Sequence, residues 1–113
     1  KIYKKLKFLI IMTEEQHFYT VIKPYRQDFL TNPKTEEEKI MSDHFHYLKS
    51  LLKQKKLFFA GPTLIPEDPL GIIILEVKSE EEAKKLLEND PSIRLGIQKV
   101  VDFRPIRLSL TRK

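Results

Sequence analysis

Apolar residues recur along this chain with two different periods, and the changes of period mark the elements. Residues 17–23 (HFYTVIK) are rich in β-branched and aromatic side chains and predict a first strand, stopped by Pro24. A loop follows, broken by Asn32-Pro33. From Thr35 onward Ile40, Met41, His44, Phe45, Leu48, Leu51 and Leu52 recur at three- and four-residue spacings, which predicts an amphipathic helix to about Gln54. Thr35-Glu36-Glu37-Glu38 reads as its capping box: Thr35 accepts from the amide three residues on, and Glu38 reaches back to the Thr35 amide. The glutamates suit the positive helix end, and Lys53, Lys55 and Lys56 suit the negative one.

Residues 57–60 (LFFA) form a short apolar run closed by Gly61-Pro62, and residues 70–77 (LGIIILEV) form a stronger one. Both are expected as strands. Ser79-Glu80-Glu81-Glu82 repeats the capping-box pattern and opens a second helix through Ala83, Leu86 and Leu87, ended by Asn89-Asp90-Pro91. One extra turn is expected after it, with Asp90 as cap, Pro91 at the first position and Gly96 closing it. Residues 97–110 predict the last strand, bent or split near Pro105, which cannot donate to a ladder. The order β-α-β-β-α-β is the ferredoxin-like unit of the α+β class, a four-stranded antiparallel sheet with two helices on one face.

A sheet covered on one face should alternate apolar and polar positions. Phe58-Phe59-Ala60 and Ile72-Ile73-Ile74-Leu75 are apolar at consecutive positions, so both faces are expected to be buried. Helices cover one. The simplest cover for the other is a second copy, which predicts a homodimer with its sheets face to face.

Composition narrows the class without naming a function. The 113 residues suit one domain, 41% hydrophobic and 33% charged, and so globular rather than disordered. Residues 1–16 are expected as an N-terminal extension, with Met12 as a natural start, and residues 17–113 as the domain. Absence of cysteine excludes disulfides, thiolate metal sites and a cysteine nucleophile, and permits a reducing compartment. No apolar run approaches the roughly 20 residues of a membrane span. The basic start KIYKKLKFLIIM has too short an apolar part, and no small-residue cleavage site, for a signal peptide. A cytoplasmic protein is expected. The net charge of +5 invites anionic partners, but the lysines are scattered. An RNA-recognition strand would need glycines beside its aromatics, and residues 99–105 lack them, so nucleic acid is not expected.

Among residues able to do chemistry, His44 stands out because it shares the inward stripe with Ile40, Leu48 and Leu51. Partial burial favours neutral, base-competent imidazole. The ordinary alternative is a core histidine bonded to backbone. His46 is about 200° round the helix from His44, so the two cannot share a metal. No H-E-x-x-H pair, phosphate-cradling glycine pattern or nucleophile elbow is present, and neither metal nor cofactor is expected. His17 has no evident partner in the sequence. Asp43 points about 100° away from His44 on the helix. Asp90 and Asp68 lie on loops before prolines, where capping and turn chemistry already explain them. Arg94 and Arg104 suit a carboxylate or plain surface charge. Gly61-Pro62 permits a bend or a close approach to a ligand.

His44, LFFAGP, GIIILEV, SEEEA and the segment NDPSIRLG together resemble the YciI-like (YCII-related) family over residues 17–110. The resemblance implies a dimeric α/β barrel, similar to muconolactone isomerase-type proteins, with a cleft near the family histidine, here His44. It also implies an aspartate paired with that histidine, here Asp90, which matches the family's Asp-Pro. Many relatives carry an acid late in the first helix, where this chain has Lys53 and Gln54, and an aromatic after Asp-Pro, where it has Ser92. A few relatives look like dehydrochlorinases acting on chlorinated or hydroxylated rings. The implied chemistry is proton transfer by His44 oriented by Asp90. Tyr19, Tyr47, Gly61, Pro62 and Arg94 are the expected binding residues for a small cyclic or carbonyl compound. A non-catalytic ligand-binding or interaction module is the alternative, because one histidine and loop acids do not by themselves make a reaction.

Overall fold

The computed structural model describes residues 15–112. Most of the segment expected as an extension therefore lies outside the described residues, and its last residue, Gln16, opens the first strand. The elements are β1 (Gln16–Pro24), α1 (Thr35–Lys53), β2 (Leu57–Pro62), β3 (Gly71–Val77), α2 (Glu80–Glu88), α3 (Pro91–Arg94) and β4 (Gln98–Ile106), with a short 3-10 turn at Gln27–Phe29. Strand order is β2-β3-β1-β4 and every neighbouring pair is antiparallel. This is the ferredoxin-like α+β architecture that the order of elements predicts.

Period-two alternation decides what each strand buries. Phe18 and Ile22 of β1 and Ile73, Leu75 and Val77 of β3 point to one face, where they meet Leu51 of α1 and Ala83 and Leu87 of α2. Each of these larger side chains, Ala83 apart, contributes roughly 1.5–3 kcal/mol when fully buried. The other face carries Tyr19, Ile72, Ile74 and Phe59, which the register sets side by side. Within one chain Phe58 and Phe59 stay 44% and 49% exposed, so the helices leave this part of the run uncovered.

Two bulges adjust the sheet. On β2, Leu57 and Phe59 face consecutive residues of β3, which leaves Phe58 as the extra residue. On β4, Asp102 and Val100 face the consecutive Val21 and Ile22, which leaves Val101 extra. The irregularity expected at Pro105 is thus at Val101. Pro105 pairs with Phe18 without a break, on an edge strand, where proline is tolerated. The strand ends at Ile106 rather than near Leu110.

Helix ends follow local chemistry, with one correction. Ser79 caps α2, accepting from the Glu82 amide at 3.1 Å. At α1 the predicted Thr35–Glu38 box does not form. Lys34 is the cap position, and Glu37 reaches back to its amide at 2.8 Å. Glu37 is chosen over Glu38 because Arg26 and the Tyr25 hydroxyl converge on it from the loop after β1, with Arg26 Nε donating at 3.0 Å. The far end closes in a Schellman pattern: Lys55 (φ 62°) and Lys56 donate to the Leu52 and Leu51 carbonyls.

The buried Glu37 carboxylate ties the β1 loop to the start of α1. Hydrogen bonds from Arg26, aided by the Lys34 amide and Tyr25, outweigh burial and hold its pKa at about 2, below the ordinary 4.5. A folded value below the unfolded one stabilises the protein above about pH 4.5, and that gain fades as pH falls toward 2. Glu37→Gln should therefore lower the urea midpoint at pH 7, with the difference from wild type shrinking below pH 4.5. An unchanged difference at pH 3 in equilibrium denaturation would count against this tie.

Candidate functional site

His44 lies mid-way along α1 on the face that packs against α3, and Asp90 is the residue that starts α3. The chain brings them together because α3 needs an N-cap. Asp90 Oδ1 accepts from the Ser92 amide at 2.8 Å, which is the ordinary capping role. Its second oxygen, Oδ2, is then left for His44 Nδ1 at 2.7 Å. Both groups are buried, Asp90 to 1% exposure. Capping and histidine pairing, rivals in the sequence, coexist because a carboxylate has two oxygens.

Two further residues complete the cluster. The Ser92 hydroxyl donates to Asp90 Oδ1 at 2.9 Å and lies 3.3 Å from His44 Nδ1. Gln98 Nε2 donates to Ser92 Oγ at 3.0 Å. Gln98 is the functional residue that sequence reading misses. Its position depends on the Val101 bulge. From Phe103 onward the odd residues of β4 share the helix-covered face; before the bulge, Gln98 and Val100 do. No pattern of residue types signals that switch.

A cavity of about 670 Å³ opens between α1 and the β2–β3 edge. Its walls are mostly apolar, including Met41, Phe45 and Leu52 of α1 and Phe58, Phe59 and Ile72 of the sheet. Phe45 and Leu52 belong to the predicted inward stripe, but they stay 59% and 56% exposed and form cavity wall instead of core. The polar lining side chains are His44, Gln98 and Lys49. With Nδ1–H held by the carboxylate, His44 carries its lone pair on Nε2. Among the described residues Nε2 makes no hydrogen bond and is not sealed from solvent, so it faces the cavity.

Other expected residues distribute unevenly. Gly61 and Pro62 line the cavity. Tyr19 lies on the opposite face of the sheet, in register with Ile74 and Arg104. The Tyr47 hydroxyl donates to the Leu86 carbonyl at 2.6 Å and ties α1 to α2. Burial, and next the charge of Asp90, push that hydroxyl above its ordinary value, so it stays a neutral donor. Arg94 is exposed and does not line the cavity. His17 acquires the partner its sequence did not reveal: Glu76, its cross-strand neighbour, at 2.8 Å. His46 bonds the Ser42 carbonyl on the solvent side. Among the described residues no three metal-ligating side chains cluster, and no helix is long and apolar enough to cross a membrane.

Comparison with known proteins sets this geometry in a family. The YCII-related domain matches residues 17–107, nearly the whole domain. No curated protein matches the chain. Among solved structures it is similar to 5-chloro-2-hydroxyhydroquinone dehydrochlorinase from Burkholderia phenoliruptrix AC1100, solved with 2,5-dihydroxybenzoquinone. That pair has TM-score 0.54 and 23% identity, with 80% of this chain and 91% of the other covered. It is also similar to an uncharacterized protein from Thermotoga maritima, with TM-score 0.50 and 11% identity, covering 83% of this chain and 99% of the other. At these identities the likeness is one of fold.

The arrangement makes a spectroscopic prediction. Long-range 1H–15N spectra should show His44 with its proton on Nδ1 when the ring is neutral. Asp90→Ala should move it toward the Nε2–H form and cost at least the ~1 kcal/mol of a lost N-cap. An Nε2–H tautomer in the wild type would contradict the assigned pairing.

Proposed function

This chain belongs to the YCII-related domain family, and from that premise we propose that it is a small enzyme performing acid–base chemistry on a small cyclic or carbonyl compound. The observation that supports this reading is the His44–Asp90 pair at the wall of an apolar cavity, which leaves Nε2 without a partner among the described residues. In the proposed step, Nε2 takes a proton from a substrate carbon or hydroxyl. Asp90 keeps hold of Nδ1–H and stabilises the imidazolium that forms. The electron pair left behind becomes a new double bond. An isomerisation is completed when the proton returns to another atom; an elimination is completed when a leaving group such as chloride departs with its own pair. The dehydrochlorinase of similar fold makes chlorinated and hydroxylated rings the first compounds to try. Gly61 and Pro62 border the proposed substrate space, whereas Tyr19, Tyr47 and Arg94 have no place in it.

Turnover of a panel of such rings should fall by about 10²–10⁴ in kcat/KM in His44→Ala, and comparably in Asp90→Asn. Equal turnover in His44→Ala sinks the proposal. Ligands that raise the melting temperature without being turned over would favour the alternative, a non-catalytic binding module.

The proposed working form is a cytoplasmic homodimer, a setting that a chain without cysteine tolerates. Its support is the open sheet face, where Phe59, Ile74 and Tyr19 stand in one cross-strand row with Ile72 beside it, all of them at least partly exposed in the single chain. A second copy would cover that surface. Light scattering at micromolar concentration should give twice the chain mass, and Ile74→Lys should reduce it toward one. A wild-type mass of one chain would refute the dimer.

A further inference from the structure

Asp90 controls more than the histidine. A carboxylate only accepts hydrogen bonds, and a serine hydroxyl has one proton to give. The Ser92 hydroxyl gives that proton to Asp90 Oδ1 at 2.9 Å. Ser92 Oγ can then only accept from Gln98, and the Gln98 amide must turn its NH₂ end toward it, as it does at 3.0 Å. The carbonyl end, Oε1, has to lie on the other side. Among the described residues Oε1 makes no hydrogen bond and is not a sealed, partnerless atom, while Gln98 is a cavity-lining residue. By the same logic Asp90 takes the Nδ1 proton of His44 and leaves Nε2 as an acceptor. One buried carboxylate thus polarises two arms, and both arms end as acceptors on residues that line the cavity.

We propose that Gln98 is a specificity-determining residue, a fixed acceptor that with His44 Nε2 selects small, largely apolar compounds carrying two hydroxyl donors. The inference rests on reading the cavity as a small-molecule site. It differs from a general preference for polar rings, since quinones and diketones, which only accept, are rejected by a pair of acceptors. Groups buried without a partner are costly, so a ligand lacking a donor forfeits more than one contact. The amide cannot turn round to suit an accepting ligand, because doing so would set its carbonyl against the Ser92 oxygen, whose proton is committed to Asp90.

The test is calorimetric titration with catechol, resorcinol and hydroquinone, each beside its mono- and dimethyl ether. At least one diol should bind the wild type, with each methylation weakening binding by roughly three- to tenfold. In Gln98→Met one of those two steps should disappear and the other, owed to His44, should persist. Ser92→Ala keeps Gln98 but unlocks its amide, so 1,4-cyclohexanedione, which has acceptors only, should bind more tightly than to the wild type. Because Ser92→Ala reports a gain, it carries the test even if Gln98→Met fails to fold. Binding of dimethyl ethers as tight as of diols, or no binding by any member of the series, overturns the proposal. So does Gln98→Met retaining both steps, or Ser92→Ala showing no gain for the dione. Donor-dependent binding without turnover would overturn the enzyme reading and leave this one standing. Turnover lost in His44→Ala alongside both methylation steps retained in Gln98→Met would do the reverse.

Discussion

A carboxylate removed from water must be matched by donors or it destabilises the fold by several kcal/mol. Asp90, at 1% exposure, meets that requirement with a backbone amide, a hydroxyl and an imidazole N–H. The three donors come from two different helices. The amide and hydroxyl come from the first turn of α3, and the imidazole from α1. Satisfying one side chain therefore fixes how α3 sits against α1. It also makes the histidine's orientation a consequence of folding, not a separate arrangement added for chemistry.

The rest of the site is set by how far the sheet departs from regularity. A regular β4 would carry Gln98 to the open face, because side chains alternate with period two. The extra residue at Val101 turns the remaining residues over and delivers Gln98 to Ser92. Bulges next to functional sites commonly re-aim a side chain in this way. At the other end of α1, Glu37 anchors the helix start to Arg26 and Tyr25. The helix that presents His44 is thus held at both ends, by the Glu37 cluster and by the Schellman closure at Lys55.

Local signals were legible. The strands, the Ser79 cap, the Asp90–Pro91 turn and the Gly96 closure follow from propensity and capping chemistry that act over four or five residues. His44 could be singled out because a polar residue interrupts an apolar stripe. What the sequence hid was contact between distant segments. Glu37 and Glu38 are equivalent as capping residues until Arg26 arrives from the preceding loop. His17 lacks a partner until register sets it opposite Glu76. Ser92 draws notice only as a missing aromatic, and Gln98 not at all, because the value of each depends on the bulge and on the carboxylate between them. Tyr47 is expected from the sequence as a ligand contact, yet its hydroxyl is spent on the Leu86 carbonyl. An inward tyrosine hydroxyl needs a partner in any case, and the nearest one decides.

The apolar residues that one chain leaves uncovered fall into two groups with different geometry. Tyr19, Ile72 and Ile74 lie on a sheet surface, where a second flat surface can meet them. Phe45, Leu52 and Met41 stand on the overhanging flank of α1, above the edge strand β2, where curvature leaves a hollow that no flat surface fills. Both groups come from the same cause: α1 is one helix wide and its apolar stripe and the four-stranded sheet are each broader than their contact. β2 belongs to both regions, since Phe58 and Phe59 line the hollow while Phe59 also stands in the cross-strand row of the open face. A partner resting on that face would therefore press on one wall of the cavity. The bulge at Phe58 is the point where such pressure would be transmitted, because there β2 is least constrained by its ladder with β3.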